Sequence, residues 1–152
     1  MKIVVSPNPY RDKQFKNARQ ACSILREAGA EVALCLPFDV DKTFEIPHDL
    51  RFQDIQKEIK TADMLICFGG DGTILHSSKI ATEHNLPILG VNIGTMGFIA
   101  ELESGEIELL RKIPKGEYTV EERTMLDVSV GNGRQTIFHE TALNDAVITK
   151  GA

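Results

Sequence analysis

The sequence predicts an α/β fold, a parallel sheet with helices on both faces, followed by the start of an incomplete all-β domain. Two observations carry the first part. Short apolar runs alternate with segments of helical spacing over residues 1–117, and the runs are apolar throughout, as strands covered on both faces must be. A third observation carries the second part: over residues 118–152 the helical spacing stops, and strand-like runs flank Gly131-Asn132-Gly133, a hairpin signal.

Residues 2–6 form a β-branched run stopped by Pro7-Asn8-Pro9, an opening strand and its loop. A helix follows with Phe15, Ala18, Cys22 and Leu25 on one face, and Gly29 supplies a left-handed exit. Residues 31–36 read as a second strand closed by Pro37. Residues 39–50 lack periodicity, which predicts a loop that is either mobile or wrapped around a site. Ile55, Ile59 and Ala62 place a helix over 54–62, and 64–68 is a buried strand. A helix over 74–83 and a strand over 88–91 continue the alternation. Ser104 is the expected N-cap of a helix carrying Ile107, Leu110 and Ile113, with Glu106 and Glu108 near its positive end. Residues 126–130 and 136–138 make the hairpin, and 142–149 reads as one more strand. Three strands are few for a separate core.

Composition narrows the function. With 42% apolar and 26% charged residues over 152 positions, the chain has the balance of a globular protein. A net charge of -5 with both signs mixed along the length offers no basic stripe for a nucleic-acid backbone. No apolar run reaches the ~20 residues that cross a bilayer, and the start does not resemble a signal peptide. Cys22, Cys35 and Cys67 are isolated in apolar surroundings, which suits buried free thiols in a reducing cytoplasm. His48, His84 and His139 show no metal-ligand spacing, so no protein metal site is expected. His76, just after the glycine-rich turn, reads as structural.

The chemistry concentrates in Gly69-Gly70-Asp71-Gly72-Thr73. A strand that enters a helix through glycines brings backbone N–H groups to a helix N-terminus with no side chains in the way, and such donors fit phosphate oxygens. No lysine follows the last glycine, so the positive charge of a Walker sequence is absent. Asp71 is then either the N-cap of the helix, or a group acting on a hydroxyl or on a metal ion that accompanies the phosphates.

This turn resembles the signature of the superfamily that includes NAD kinases, diacylglycerol and sphingosine kinases and 6-phosphofructokinases. Gly90-Val91-Asn92-Ile93-Gly94-Thr95-Met96-Gly97-Phe98-Ile99 is similar to the second NAD kinase motif, and Ala142-Leu143-Asn144-Asp145-Ala146-Val147-Ile148 to its Asn-acidic motif. Between them, Glu122-Arg123-Thr124-Met125-Leu126 resembles the E-R-x-x-L element. Order and spacing follow the NAD kinase family along the whole chain. Alone, each piece has a plainer reading: Phe98 as a core aromatic, Asn144 and Asp145 as turn residues, Arg123 as a surface charge.

The resemblance implies a Rossmann-like domain over 1–117 and the start of a dinucleotide-binding β domain over 118–152. It implies transfer of the terminal phosphate of ATP to the 2'-hydroxyl of the adenosine ribose of NAD, giving NADP. In that scheme Gly69, Gly70, Gly72 and Thr73 bind phosphate and Asp71 is the base. Asp71, Gly72, Gly97, Phe98, Asn144 and Asp145 contact NAD, with Arg123 as a further candidate. A divalent ion, Mg2+, comes with ATP, and the full-length protein forms a homo-oligomer. NAD kinases are longer than this chain, so it is expected to be their N-terminal part and weakly active or inactive alone. The competing readings are a diacylglycerol-type lipid kinase, and a non-catalytic module that binds NAD or NADP.

Overall fold

A computed structural model describes residues 1–94 and 97–149. The chain divides into two compact units, Met1–Thr119 and Val120–Ala152. In the first, β1 (Lys2–Pro7), β2 (Glu31–Leu34), β3 (Met64–Gly69), β4 (Ile88–Asn92) and β5 (Leu102–Glu103) form one five-stranded sheet. All four strand pairs are parallel, in the order β2-β1-β3-β4-β5.

Alternation along the strands divides the core. Ile3, Val5, Ile66 and Phe68 pack on one face with Ala18, Cys22 and Leu25 of α1 (Lys16–Glu27) and with Ile107, Leu110 and Ile113. Val4 and Leu65 point the other way, onto Ile59 and onto Ala81 of α3 (Asp71–Glu83). Helical elements therefore cover both faces, and strands buried on both sides have no polar face to show in sequence.

Several elements depart from the sequence expectation for local reasons. Phe15 is buried but precedes α1, in a left-handed conformation (φ 54°). The buried Asp12 caps the helix instead, accepting from the backbone N–H of Asn17 at 3.0 Å and of Ala18 at 2.9 Å. The helix over 54–62 is one short α turn, α2 (Ile55–Glu58), continued by a 3-10 turn, with the Asp54 side chain accepting from Gln56 N–H. Ser104–Lys115 is a 3-10 segment whose N-cap is Glu103, not Ser104; Glu103 and Glu106 form a reciprocal capping box. Ile107, Leu110 and Ile113 recur every three residues, the period of a 3-10 turn, and all three are buried.

The second unit is a hairpin of β6 (Leu126–Gly131) and β7 (Thr136–Ala142), with Gly133 at φ +84° in its turn. Register places Leu126, Val128, Val130 and Phe138 on one face and Asp127, Ser129, His139 and Thr141 on the other. The expected strand over 142–149 is not formed: β7 ends at Ala142, and residues 143–149 have no ladder partner among the described residues.

The three cysteines are free and buried. Desolvation pushes the Cys22 thiol up to about 11, and desolvation with nearby carboxylates pushes Cys35 and Cys67 up to about 12. An unfolded thiol ionises near ~8.5, so above that pH the unfolded chain holds fewer protons than the native one and stability falls as pH rises. Native protein at pH 8 should therefore resist iodoacetamide at all three thiols, while protein in urea takes up three adducts by mass spectrometry. Rapid native alkylation would contradict this burial.

Candidate active site

In a parallel sheet, ligands bind beyond the carboxyl ends of the strands where the strand order reverses. Here that point lies between β1 and β3, because the chain leaves β1 for β2 on one side and later returns to β3 on the other. Pro7 pairs with Phe68, and the next residue, Asn8, donates its backbone N–H to Phe68 O at 2.8 Å. The loop after β1 and the glycine turn after β3 are thereby held side by side.

Asn8 ties them further. Its Nδ2 donates to Thr73 Oγ1 at 3.0 Å, and its Oδ1 accepts from Tyr10 N–H at 3.0 Å. Gly69 ends β3 and is buried. A Cβ there would collide with the Thr73 side chain, so this glycine allows the first turn of α3 to close against the strand.

The helix begins at Asp71 rather than at 74. Gly70 is its N-cap, extended at φ -111°, and its carbonyl accepts from Thr73 N–H at 2.8 Å and Ile74 N–H at 3.2 Å. The amides of Asp71 and Gly72 lie ahead of any intrahelical acceptor, at the positive end of a 13-residue helix. Both residues border a cavity of about 330 Å³ that Asn8, Arg11, Gly70, Thr73 and Gly97 also line.

Asp71 does not cap its own helix. Its Oδ2 accepts from Phe98 N–H at 3.0 Å and its Oδ1 from Ile99 N–H at 3.3 Å. A Cβ on Gly97 would collide with Oδ1 and stand 3.2 Å from Cγ, so the absent side chain lets the carboxylate approach. Phe98 is 95% exposed at this edge, which removes the core-aromatic reading. The connection from β4 is fixed at both ends. Buried Asn92 accepts from Gly94 N–H at 3.2 Å and donates to Glu103 at 3.0 Å, and Glu101 Oε2 accepts from Gly90 N–H at 2.9 Å. Thr95 and Met96 of the second motif lie outside the described residues.

Arg11 is the site residue that sequence reasoning passed over. It follows Asn8 in a turn closed by its N–H on Asn8 O at 3.1 Å. Its guanidinium extends toward the segment after β4, where Nη1 stands 3.0 Å from the position of a Cβ on Gly94. Among the described residues the cavity wall thus holds one basic residue, Arg11, and one acidic residue, Asp71. The loop over 37–44 is wrapped beside this edge. Tyr10 stacks on Phe38, meets Phe44 edge-on and donates its hydroxyl to Asp41 at 3.1 Å, while His76 Nε2 lies 3.1 Å from Pro37 O.

The remaining candidates belong to the second unit. Arg123 precedes β6 and pairs with Glu121 at 3.8 Å. Asn144 and Asp145 follow β7 and are exposed. Among the described residues no group of three His, Cys, Asp or Glu side chains gathers as a metal site, and no helix is long and apolar enough to cross a membrane.

Residues 2–118 match the family described as ATP-NAD kinase N-terminal domain. The chain is 30% identical to the NAD kinase of Acetivibrio thermocellus, over 100% of its own length and 52% of that protein's. It is 36% identical to the NAD kinase of Caldanaerobacter subterraneus subsp. tengcongensis, over 99% of this chain and 52% of the relative. The chain therefore spans about half the length of these curated relatives. A yeast NADH kinase solved with NADH shares the fold, with a TM-score of 0.69 at 20% identity over 95% of this chain and 47% of that one.

Proposed function

Because the chain belongs to the ATP-NAD kinase family, we propose that it supplies the phosphate-binding and base-bearing part of an NAD kinase. The reaction moves the terminal phosphate of ATP onto the 2'-hydroxyl of the adenosine ribose of NAD. The observation that carries this reading is a carboxylate at a bare helix N-terminus, lining the same cavity as a guanidinium.

Donor phosphates fit against the amides of Asp71 and Gly72, where the helix end favours negative charge. Arg11 supplies the cationic partner that the glycine turn lacks, and its planar fork suits phosphate oxygens. The ribose 2'-oxygen attacks the terminal phosphorus, its proton passes to Asp71, and the bond to the leaving diphosphate breaks so that ADP departs. An ionised carboxylate has about four lone-pair sites, so the two N–H bonds leave Asp71 able to accept the hydroxyl. Among the described residues Asp71 is the one acid that lines this cavity, so Mg2+ enters as part of the nucleotide substrate, held by its phosphate oxygens.

Phe98 presents a flat apolar face for the adenine. Asn144 and Asp145 contribute donors and acceptors for ribose and base, and Arg123 is a further contact candidate. The working enzyme is read as a cytoplasmic homo-oligomer.

The test is NADP formation from NAD and MgATP by the protein at the length of its relatives, with the 152-residue chain alongside. Product from the longer chain and little from the shorter is expected. Binding of both nucleotides by calorimetry without product would favour a binding module, and phosphorylation of diacylglycerol in vesicles would favour a lipid kinase.

A further inference from the structure

We propose that the Asp71 carboxylate is also the anchor that orders the 97–99 segment, so that one side chain both positions the acceptor-facing Phe98 and accepts the proton. Its catalytic consequence rests on the kinase reading; the anchoring does not.

Two consecutive backbone amides, Phe98 and Ile99, point at the two oxygens of a single carboxylate. Successive N–H groups converging on an anion form a concave binding site, here occupied by a side chain of the same chain. Gly97 clears the approach, since any Cβ would strike the carboxylate. The Phe98 ring, 95% exposed, cannot hold its own segment; among the described residues 97–99, Ile99, 8% exposed, adds an apolar hold. Asn92 secures Gly94 and Glu101 secures Gly90, while the backbone N–H groups of Phe98 and Ile99 donate to the Asp71 carboxylate. The placement of the exposed ring therefore depends on a residue of the glycine turn, 27 positions earlier in the chain.

Asp71→Asn preserves shape but only one acceptor. Its amide NH2 faces one of the two backbone donors, leaving donor against donor. Asp71→Ala removes both bonds.

Amide hydrogen exchange read by NMR tests the anchor without reference to turnover. Exchange at Phe98 and Ile99 should accelerate by about 10- to 100-fold in Asp71→Asn, the range for losing a charge-assisted hydrogen bond, and at least as much in Asp71→Ala. Exchange at Leu65 and Ile66 of β3 should stay unchanged, which separates local release from general destabilisation. Gly97→Ala should accelerate the same two amides although Asp71 is retained. In the full-length enzyme the KM for NAD should rise in Asp71→Asn alongside the fall in kcat, because the variant loosens Phe98 and weakens its own hydrogen bond to the ribose hydroxyl. Unaltered exchange at 98 and 99 in both Asp71 variants overturns the anchor whatever the activity. Accelerated exchange in a protein that makes no NADP leaves the anchor standing and removes the kinase.

Discussion

Asp71→Asn is expected to lower kcat for NADP formation by about 10²- to 10⁴-fold, the usual worth of a positioned general base. The isosteric amide preserves the helix start, whose N-cap is Gly70, so a folding defect is not the expected cause. Since Gly70 and not Asp71 is the N-cap, loss of a cap is not among the causes of that fall. A variant keeping more than a tenth of native kcat, in protein shown to be folded by circular dichroism, would remove Asp71 from the proton transfer.

Arg11→Ala should raise the KM for ATP by about 10- to 100-fold, since hydrogen bonds to charged groups contribute about 1.5–3 kcal/mol, and should lower kcat if the guanidinium gains contact as charge builds on the transferred group. Arg11→Lys should recover part of the loss, keeping the charge without the planar fork. The KM for NAD should change little, because Arg11 lies on the phosphate side of the cavity in this reading. Initial rates with each substrate varied at saturation of the other decide the matter; equal effects on both substrates would argue that Arg11 only supports the fold.

Most of the first unit was legible in the chain because strands and helices answer to local pattern. The uniformly apolar runs at 64–68 and 88–91 mark strands buried on both faces, and the glycine turn marks the passage from strand to helix. Boundaries were less legible. The Ile107, Leu110, Ile113 spacing satisfies both an α and a 3-10 reading, and the structure has the 3-10 form, packed against α1. The run over 142–149 has strand composition, yet a strand forms only where a partner offers a ladder.

The site shows the same division. Gly69 to Thr73 could be picked out from the sequence because their chemistry and geometry are contiguous. Arg11 could not, because its place at the cavity follows from strand order: the loop after β1 meets the turn after β3 only when those strands are neighbours. Asp71 stands out in the sequence as the one acid of the glycine turn, but its hold on Phe98 and Ile99 joins segments separated by a helix and a strand.

By itself, then, the sequence determined the alternating α/β architecture and the glycine turn between strand and helix, because each depends on residues within a few positions of one another. The tertiary structure decided which cation shares the cavity and what the carboxylate touches. Those contacts arise from the parallel pairing of strands distant in the chain, which no local pattern encodes.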